Sequence, residues 1–135
     1  MMAARRPVIL FVDDSEMLLN GLLRLLHDRS DDWDMRTATG ADEALALLET
    51  EAVDAVLSDL RMPGMGGDEL IYRIRETWPG VRTALLCGDR DDPAAEAVRR
   101  SGCPVLGKPC RREQLLAFID SLLAMQVPPM TEGMP

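Results

Sequence analysis

The sequence predicts an α/β domain in which five β–α units build a parallel sheet covered by helices on both faces. Short apolar runs alternate five times with amphipathic stretches, which is the pattern of such folds. The first run, residues 8–12, is apolar throughout and predicts a central strand buried on both faces. A chain of 135 residues has the size of one ordinary domain, expected at 1–125. Residues 126–135 contain three prolines and no hydrophobic period, so we expect a disordered tail.

The first half of the chain predicts two strands and two helices in alternation. Strand 8–12 is followed by leucines at helical spacing between residues 15 and 27, which predict the first helix. Residues 33–37 alternate between apolar and polar side chains, as a half-buried strand near a sheet edge does. Thr39 and Asp42 have the spacing of a capping box and therefore predict the start of the second helix.

The second half repeats the alternation three times, and Pro and Gly mark the breaks. The composition of residues 61–67 predicts a loop, and Pro79 with Gly80 ends the third helix. Asp92 precedes a proline and has the character of a helix N-cap. The remaining predicted strands are 53–58, 81–86 and 104–106, and the last helix is 111–125.

The charge and apolar content of the chain exclude some partners. Asp and Glu outnumber Lys and Arg by 23 to 15, so the net charge of −8 repels nucleic acid and anionic lipid. We therefore expect no direct contact with nucleic acid. Apolar runs are all far shorter than the roughly eighteen residues that a membrane span needs, so we expect no membrane contact and a cytoplasmic location. The three cysteines have neither disulfide nor metal-site spacing and are expected to be free thiols.

Candidate functional residues stand at the ends of four predicted strands. Asp13 and Asp14 follow the first strand, and Asp59 ends the third. Cys87 follows the fourth strand, and Lys108 follows the fifth. Because the carboxyl ends of parallel strands meet at one edge of a sheet, we expect these side chains to gather there. Three carboxylates at short range repel one another, and a hard divalent cation such as Mg²⁺ (or Mn²⁺) relieves that repulsion.

Three motifs give the chain a resemblance to a known family. FVDDSE at 11–16, LSDLRMPGMGG at 57–67 and GKP at 107–109 occur in the order and spacing of response-regulator receiver domains. The resemblance covers roughly residues 7–124. It implies a flavodoxin-like three-layer fold with strand order 2-1-3-4-5. It also implies a cis peptide bond before the proline of the third motif.

The resemblance further implies a role for each acid. Asp59 would accept a phosphoryl group, and Lys108 would neutralise the oxygens of that group. Asp14, Asp59 and the backbone carbonyl of Arg61 would coordinate Mg²⁺ directly. Asp13 would act through a water molecule. The phosphodonor would be a phosphohistidine on a sensor histidine kinase or a phosphotransfer protein.

We expect no enzymatic activity beyond self-catalysed phosphoryl acceptance and hydrolysis of the aspartyl phosphate. Output would then pass through contacts with an unidentified protein, and a homodimer is left open. The sequence itself does not distinguish a stand-alone regulator from one domain of a longer protein.

Two positions depart from the family pattern. Cys87 stands where a Thr or Ser hydroxyl usually bonds the phosphoryl oxygen, and Val105 stands where an aromatic side chain is common. A thiol is a weak hydrogen-bond donor, so the usual coupling of phosphorylation to conformation is in doubt. Arg61 and Asp89 either form an ion pair over the site, which would slow hydrolysis, or are independently solvated.

The sequence bears on three other functions. A flavodoxin shares the fold, but Asp13 and Asp14 would repel the phosphate of a flavin. A phosphohydrolase with an aspartyl nucleophile needs a D-x-D arrangement after the first strand, which this chain lacks. The remaining alternative is a pseudo-receiver, a protein-binding scaffold with a weakened or absent phosphorylation switch, because of Cys87 and Val105.

Overall fold

Five parallel strands form one sheet with helices on both faces, as the sequence predicts. The computed structural model describes residues 5–89 and 91–125. The strands are β1 Val8–Val12, β2 Asp34–Ala38, β3 Ala55–Asp59, β4 Arg82–Cys87 and β5 Val105–Gly107. The helices are α1 Glu16–Leu25, α2 Ala41–Thr50, α3 Gly67–Thr77, α4 Pro93–Arg100 and α5 Arg112–Ala124. The sheet order is β2-β1-β3-β4-β5, so the predicted order is confirmed. The predicted tail at 126–135 lies outside the described residues.

Alternation along β1 divides the core into two layers. Ile9 and Phe11 point toward one face, where they pack with Leu19 of α1 and Ile119 of α5. Leu10 and its even-numbered neighbours point toward the other face, which α2 and α3 cover. All five residues of β1 are buried, as expected for a strand that is covered on both sides. A third apolar cluster lies under α4 and includes Leu60, Leu85, Cys87, Ala95 and Val98.

Strand boundaries differ from the prediction by one or two residues. β2 begins at Asp34 rather than residue 33, because the Trp33 amide donates to the Arg29 carbonyl at 3.0 Å and the indole is buried beneath the Arg29 guanidinium. β3 begins at Ala55, because the Asp54 carboxylate accepts a hydrogen bond from the Val8 amide at 2.7 Å. The turn that contains Arg29 thus leads directly into β2, and the Asp54 side chain ties the residue before β3 to the start of β1.

The N-cap predicted at Asp92 is confirmed, Ser15 also caps α1, and the predicted start of α2 differs. Ser15 accepts from the Leu18 amide at 3.2 Å, and Asp92 accepts from the Ala94 amide at 2.9 Å. The predicted capping pair of Thr39 and Asp42 is wrong. The second helix begins one residue later, after Gly40, so the third helical position belongs to Glu43, whose carboxylate accepts from the Thr39 hydroxyl at 3.1 Å.

Two arginines tie the end of α1 to α5. Arg29, in the short 3₁₀ turn His27–Arg29 after α1, pairs with Asp120 at 3.2 Å. Arg112 forms an ion pair with Asp28, and its Nε also donates to the Leu25 carbonyl at 3.1 Å.

None of the helices in the described part of the chain combines the length and apolar character that a bilayer crossing requires.

We predict that Ile119→Ala destabilises the protein by about 2–5 kcal/mol, because Ile119 is fully buried between α5 and the sheet and its truncation leaves a cavity. Ser121→Ala, on the exposed side of the same helix, is the matched control and should change the free energy of unfolding by less than about 0.5 kcal/mol. Urea denaturation followed by circular dichroism measures both. Equal midpoints for the two variants would contradict this account of the core.

Candidate functional site

Three carboxylates converge where β1 and β3 end. Asp13 and Asp14 follow β1, and Asp59 is the last residue of β3. One oxygen of each carboxylate lies within 4.8 Å of the others. Asp13 and Asp59 are half-buried, while Asp14 is exposed. The gathering of these acids at the carboxyl edge of the sheet is the arrangement that their positions in the sequence predict.

Backbone hydrogen bonds hold Asp13 in place. Its amide donates to the Ala38 carbonyl at 3.1 Å, which extends the pairing of β1 with β2 by one residue. Its carboxylate accepts from the Ser15 amide at 2.9 Å just before α1 begins. Burial raises the pKa of the Asp13 carboxyl above its ordinary value, and the negative charge of Asp59 acts in the same direction. The Ser15 amide and Lys108 oppose this rise in pKa.

Lys108 supplies the positive charge of the site. Its Nζ donates to Oδ1 of Asp59 at 2.8 Å, across the gap between β5 and β3. Its backbone amide donates to the Cys87 carbonyl at 2.8 Å, which anchors the lysine beside the end of β4. The Lys108–Pro109 peptide bond is cis, as expected. Lys108 follows β5 and Asp59 ends β3, and β4 lies between these two strands in the sheet. The lysine side chain therefore reaches past the end of β4 to contact the Asp59 carboxylate.

The donor set suits a hard divalent cation. Asp13, Asp14 and Asp59 offer oxygen atoms alone, and their spacing lets one ion contact more than one of them. Carboxylate oxygens are the ligands that Mg²⁺ prefers, whereas a softer metal would favour thiolate or imidazole. The carbonyl of Arg61 lies two residues beyond Asp59 in the loop after β3. The residues present therefore fit Mg²⁺.

Gly67 is a site residue that reasoning from the sequence missed. A Cβ atom at this first residue of α3 would lie 2.0 Å from the Asp59 carbonyl oxygen, a distance that no side chain tolerates. The Gly67 amide donates to the Leu60 carbonyl at 2.9 Å and closes the loop. The buried Ser58 hydroxyl donates to the same Asp59 carbonyl at 2.9 Å. The paired glycines at 66 and 67 were the available signal of a close backbone approach.

Arg61 forms an ion pair with Asp92, so of the two alternatives for Arg61 and Asp89 the ion pair over the site is wrong. Nη2 of Arg61 donates to Oδ2 of Asp92, the N-cap of α4. The Asp89 carboxylate instead accepts from the Asp91 amide at 2.9 Å within its own turn. The Ala94 amide, together with the Arg61 guanidinium, lowers the pKa of the Asp92 carboxyl below its ordinary value. Arg61 therefore links the loop after β3 to the start of α4.

Cys87 and Val105 form part of the core next to the site. Cys87 is buried at the end of β4, and its thiol donates to the Asp89 carbonyl at 2.8 Å. Val105 is half-buried at the start of β5 and packs against the apolar cluster under α4, which includes Cys87 and Leu85. The donor at position 87 is therefore already engaged with the loop that follows it.

Comparison with known proteins gives consistent matches. A family model described as the response regulator receiver domain matches residues 9–120. The chain is 38% identical, over 79% of its length, to a response regulator receiver protein of Anaeromyxobacter sp. (strain Fw109-5). It is 35% identical, over 92% of its length, to the transcriptional regulatory protein GlrR of Escherichia coli (strain K12). These alignments cover 44% and 28% of the two relatives, so the chain spans less than half of either.

Solved structures share the fold. The signal receiver domain of an HD domain-containing protein from Pseudomonas fluorescens Pf-5 has a TM-score of 0.81 and 34% identity, with 91% of this chain and 90% of that chain covered. A CheY-like response regulator receiver domain protein from Methanospirillum hungatei JF-1 has a TM-score of 0.79 and 26% identity, with 88% and 94% covered. The likeness extends over nearly the whole described domain.

We predict that Gly67→Ala destabilises the fold by about 1–3 kcal/mol, because α3 and the Asp59 carbonyl must move apart to admit a methyl group. Gly80→Ala is the control, since a Cβ there meets nothing within 4 Å. Urea denaturation compares the two variants. A Gly67 variant as stable as the Gly80 variant would show that the close approach to Asp59 does not constrain the loop.

Thiol reactivity should follow burial. Burial raises the pKa of the Cys103 thiol, so the reactive thiolate is scarcer at pH 8 than for an ordinary cysteine. In the folded protein we expect iodoacetamide to modify the half-buried Cys110 before the buried Cys103, and raising the pH to accelerate modification of Cys103. Peptide mass spectrometry measures the rates, with protein unfolded in urea as the control. Equal rates in the folded state would contradict this order.

Proposed function

The chain belongs to the response regulator receiver domain family, and on that premise we propose that it accepts a phosphoryl group on Asp59. The donor would be a phosphohistidine on a sensor histidine kinase or a phosphotransfer protein. One observation carries this assignment: the Asp59 carboxylate meets the Lys108 ammonium at 2.8 Å beside two further acids at the carboxyl edge of the sheet. Such an arrangement combines a nucleophile, a cation and a metal-binding set in one place.

The transfer itself needs alignment and charge neutralisation more than covalent assistance. An oxygen of Asp59 forms a bond to phosphorus while the phosphorus–nitrogen bond to the donor histidine breaks. The imidazole leaves with the electron pair of that bond and takes up a proton. Lys108 orients Asp59 through Oδ1 and places a positive charge where phosphoryl oxygens gain negative charge.

A bound Mg²⁺, or Mn²⁺, would supply neutralisation of the phosphoryl oxygens and of the acids that surround them. Asp14, Asp59 and the Arg61 carbonyl are the direct ligands that we propose, with Asp13 acting through water. The rise in the Asp13 pKa on burial shows that ionising this acid costs free energy in the protein alone. A divalent cation would offset that cost, which is a reason for the site to bind one.

We propose no enzymatic activity toward an external substrate, only self-catalysed acceptance and hydrolysis of the aspartyl phosphate. The domain would act in the cytoplasm. It would transmit its phosphorylation state through a protein partner or through further domains of a longer chain. The scaffold alternative is not favoured, because Asp13, Asp14, Asp59 and Lys108 are all present and meet. The replacement of a hydroxyl by Cys87 affects how the modification is transmitted rather than the acceptor itself.

We expect wild-type protein incubated with acetyl phosphate and Mg²⁺ to gain the mass of one phosphoryl group, and Asp59→Asn to gain none, because the neutral amide replaces the nucleophilic carboxylate. Asp42→Asn, at an exposed carboxylate on α2, is the matched control and should be modified like wild type. Chelation of Mg²⁺ by EDTA should suppress the reaction. Intact-mass spectrometry measures the modified fraction, and a mass gain in Asp59→Asn equal to wild type would refute the assignment.

A further inference from the structure

We infer that Arg61 is the side chain that reports phosphorylation of Asp59 in this protein. In the unmodified state its guanidinium binds Asp92, and in the phosphorylated state it binds a phosphoryl oxygen and releases Asp92 at the start of α4. This inference rests on the proposed phosphorylation of Asp59. It assigns the coupling to an exchange of ion pairs rather than to a hydroxyl group at the end of β4.

A phosphoryl group on Asp59 brings three terminal oxygens, of which the proposed Mg²⁺ would neutralise one and Lys108 another. Lys108 provides one cationic donor beside the carboxylate. The thiol of Cys87 is a weak donor and is already engaged with the Asp89 carbonyl at 2.8 Å. The buried hydroxyl of Ser58 donates to the backbone carbonyl of Asp59, away from the carboxylate. At least one phosphoryl oxygen therefore lacks a strong protein donor in the resting arrangement.

Arg61 is the cationic side chain nearest to Asp59 in the sequence, two residues away. Its side chain is 74% exposed, so no packing holds it in the resting position. The guanidinium carries five N–H donors and binds phosphate oxygens in a bidentate manner. The backbone of the loop is fixed, because Leu60 donates to Leu86 at 3.2 Å and Gly67 donates to Leu60 at 2.9 Å. Only the Arg61 side chain needs to move.

Charge favours the exchange once Asp59 is modified. The carboxylate of Asp92 carries a single negative charge, whereas a phosphoryl group carries about −1.5 to −2 at neutral pH. The resting pair is screened by solvent on the arginine side, so it resists competition weakly. The larger charge of the phosphoryl group therefore favours transfer of the guanidinium from Asp92 to that group. The same transfer would leave Asp92 without its side-chain partner.

The release of Asp92 acts on α4, since Asp92 is buried and caps that helix. Its side chain is 8% exposed and, without Arg61, its carboxylate keeps hydrogen bonds from backbone amides at the start of α4, with the Ala94 amide at 2.9 Å. A buried carboxylate that loses its cation gains by moving toward water. Ala95 and Val98 of α4 pack in the same apolar cluster as Cys87. Movement of Asp92 therefore loosens the first turn of α4 against the sheet.

Hydrogen exchange measured by mass spectrometry tests the exchange of partners. We would compare wild type with Arg61→Ala and Asp92→Asn, each with and without excess acetyl phosphate and Mg²⁺. Asn caps helices as well as Asp does, so Asp92→Asn removes the charge that binds Arg61 and keeps the acceptor for the Ala94 amide. Arg99→Ala is the matched control, because it removes an arginine whose ion pair with Glu96 lies within α4 and away from the site.

We expect phosphorylation of wild type to raise exchange about twofold to fivefold in residues 92–98, the range that loss of a solvent-screened ion pair permits. Arg61→Ala should show this raised exchange before any phosphodonor is added, because it leaves the Asp92 carboxylate without its cation. Asp92→Asn keeps the cap and leaves no buried charge, so its exchange should stay at the unmodified wild-type level with and without phosphodonor. Arg99→Ala should respond to phosphorylation as wild type does. Intact mass, recorded on the same samples, gives the phosphorylated fraction.

Two outcomes would overturn the inference while leaving the proposed function intact. One is a phosphorylated wild type whose exchange at 92–98 equals that of the unmodified protein. The other is an unmodified Arg61→Ala whose exchange there equals that of unmodified wild type. If wild type gains no phosphoryl mass at all, the proposed function itself fails and this inference fails with it.

Discussion

Mutual repulsion of three carboxylates is the constraint on which the rest of this structure depends. Asp13, Asp14 and Asp59 are brought within 4.8 Å of one another by strands that are adjacent in the sheet but distant in the sequence. The fold must hold them together against their charges, and it does so with backbone bonds to Asp13 and the Lys108 ammonium on Asp59. The site therefore concentrates negative charge that a bound cation would neutralise.

The elements and the carboxylate cluster were predictable from the sequence, because they follow from patterns that act along the chain. Hydrophobic period and cap residues located the five strands and five α-helices, and the topology of parallel strands placed the carboxyl ends of the strands together. Strand order came from the resemblance to receiver domains, since period alone does not order a sheet. The cis bond before Pro109 was likewise implied by that resemblance and is present.

Contacts between loops were not predictable, because they depend on side-chain rotamers and on small shifts in helix starts. A start one residue later gave Glu43, and not Asp42, the bond to Thr39. The sequence offered Asp89 as a partner for Arg61, and nothing in the spacing distinguished it from Asp92 three residues on. The structure favours Asp92 because it caps α4 and faces the loop after β3, whereas Asp89 is engaged within its own turn.

The glycines of the loop after β3 differ in how much variation they allow. At Gly67 the obstacle is the carbonyl oxygen of Asp59, which any Cβ atom would meet. Glycine is therefore the one residue that fits this position, whatever its backbone conformation. At Gly64 the space is open and the obstacle is a left-handed φ of 75°, which asparagine also adopts. In a library randomised over this loop, folded variants should therefore carry glycine at position 67 and either glycine or asparagine at position 64.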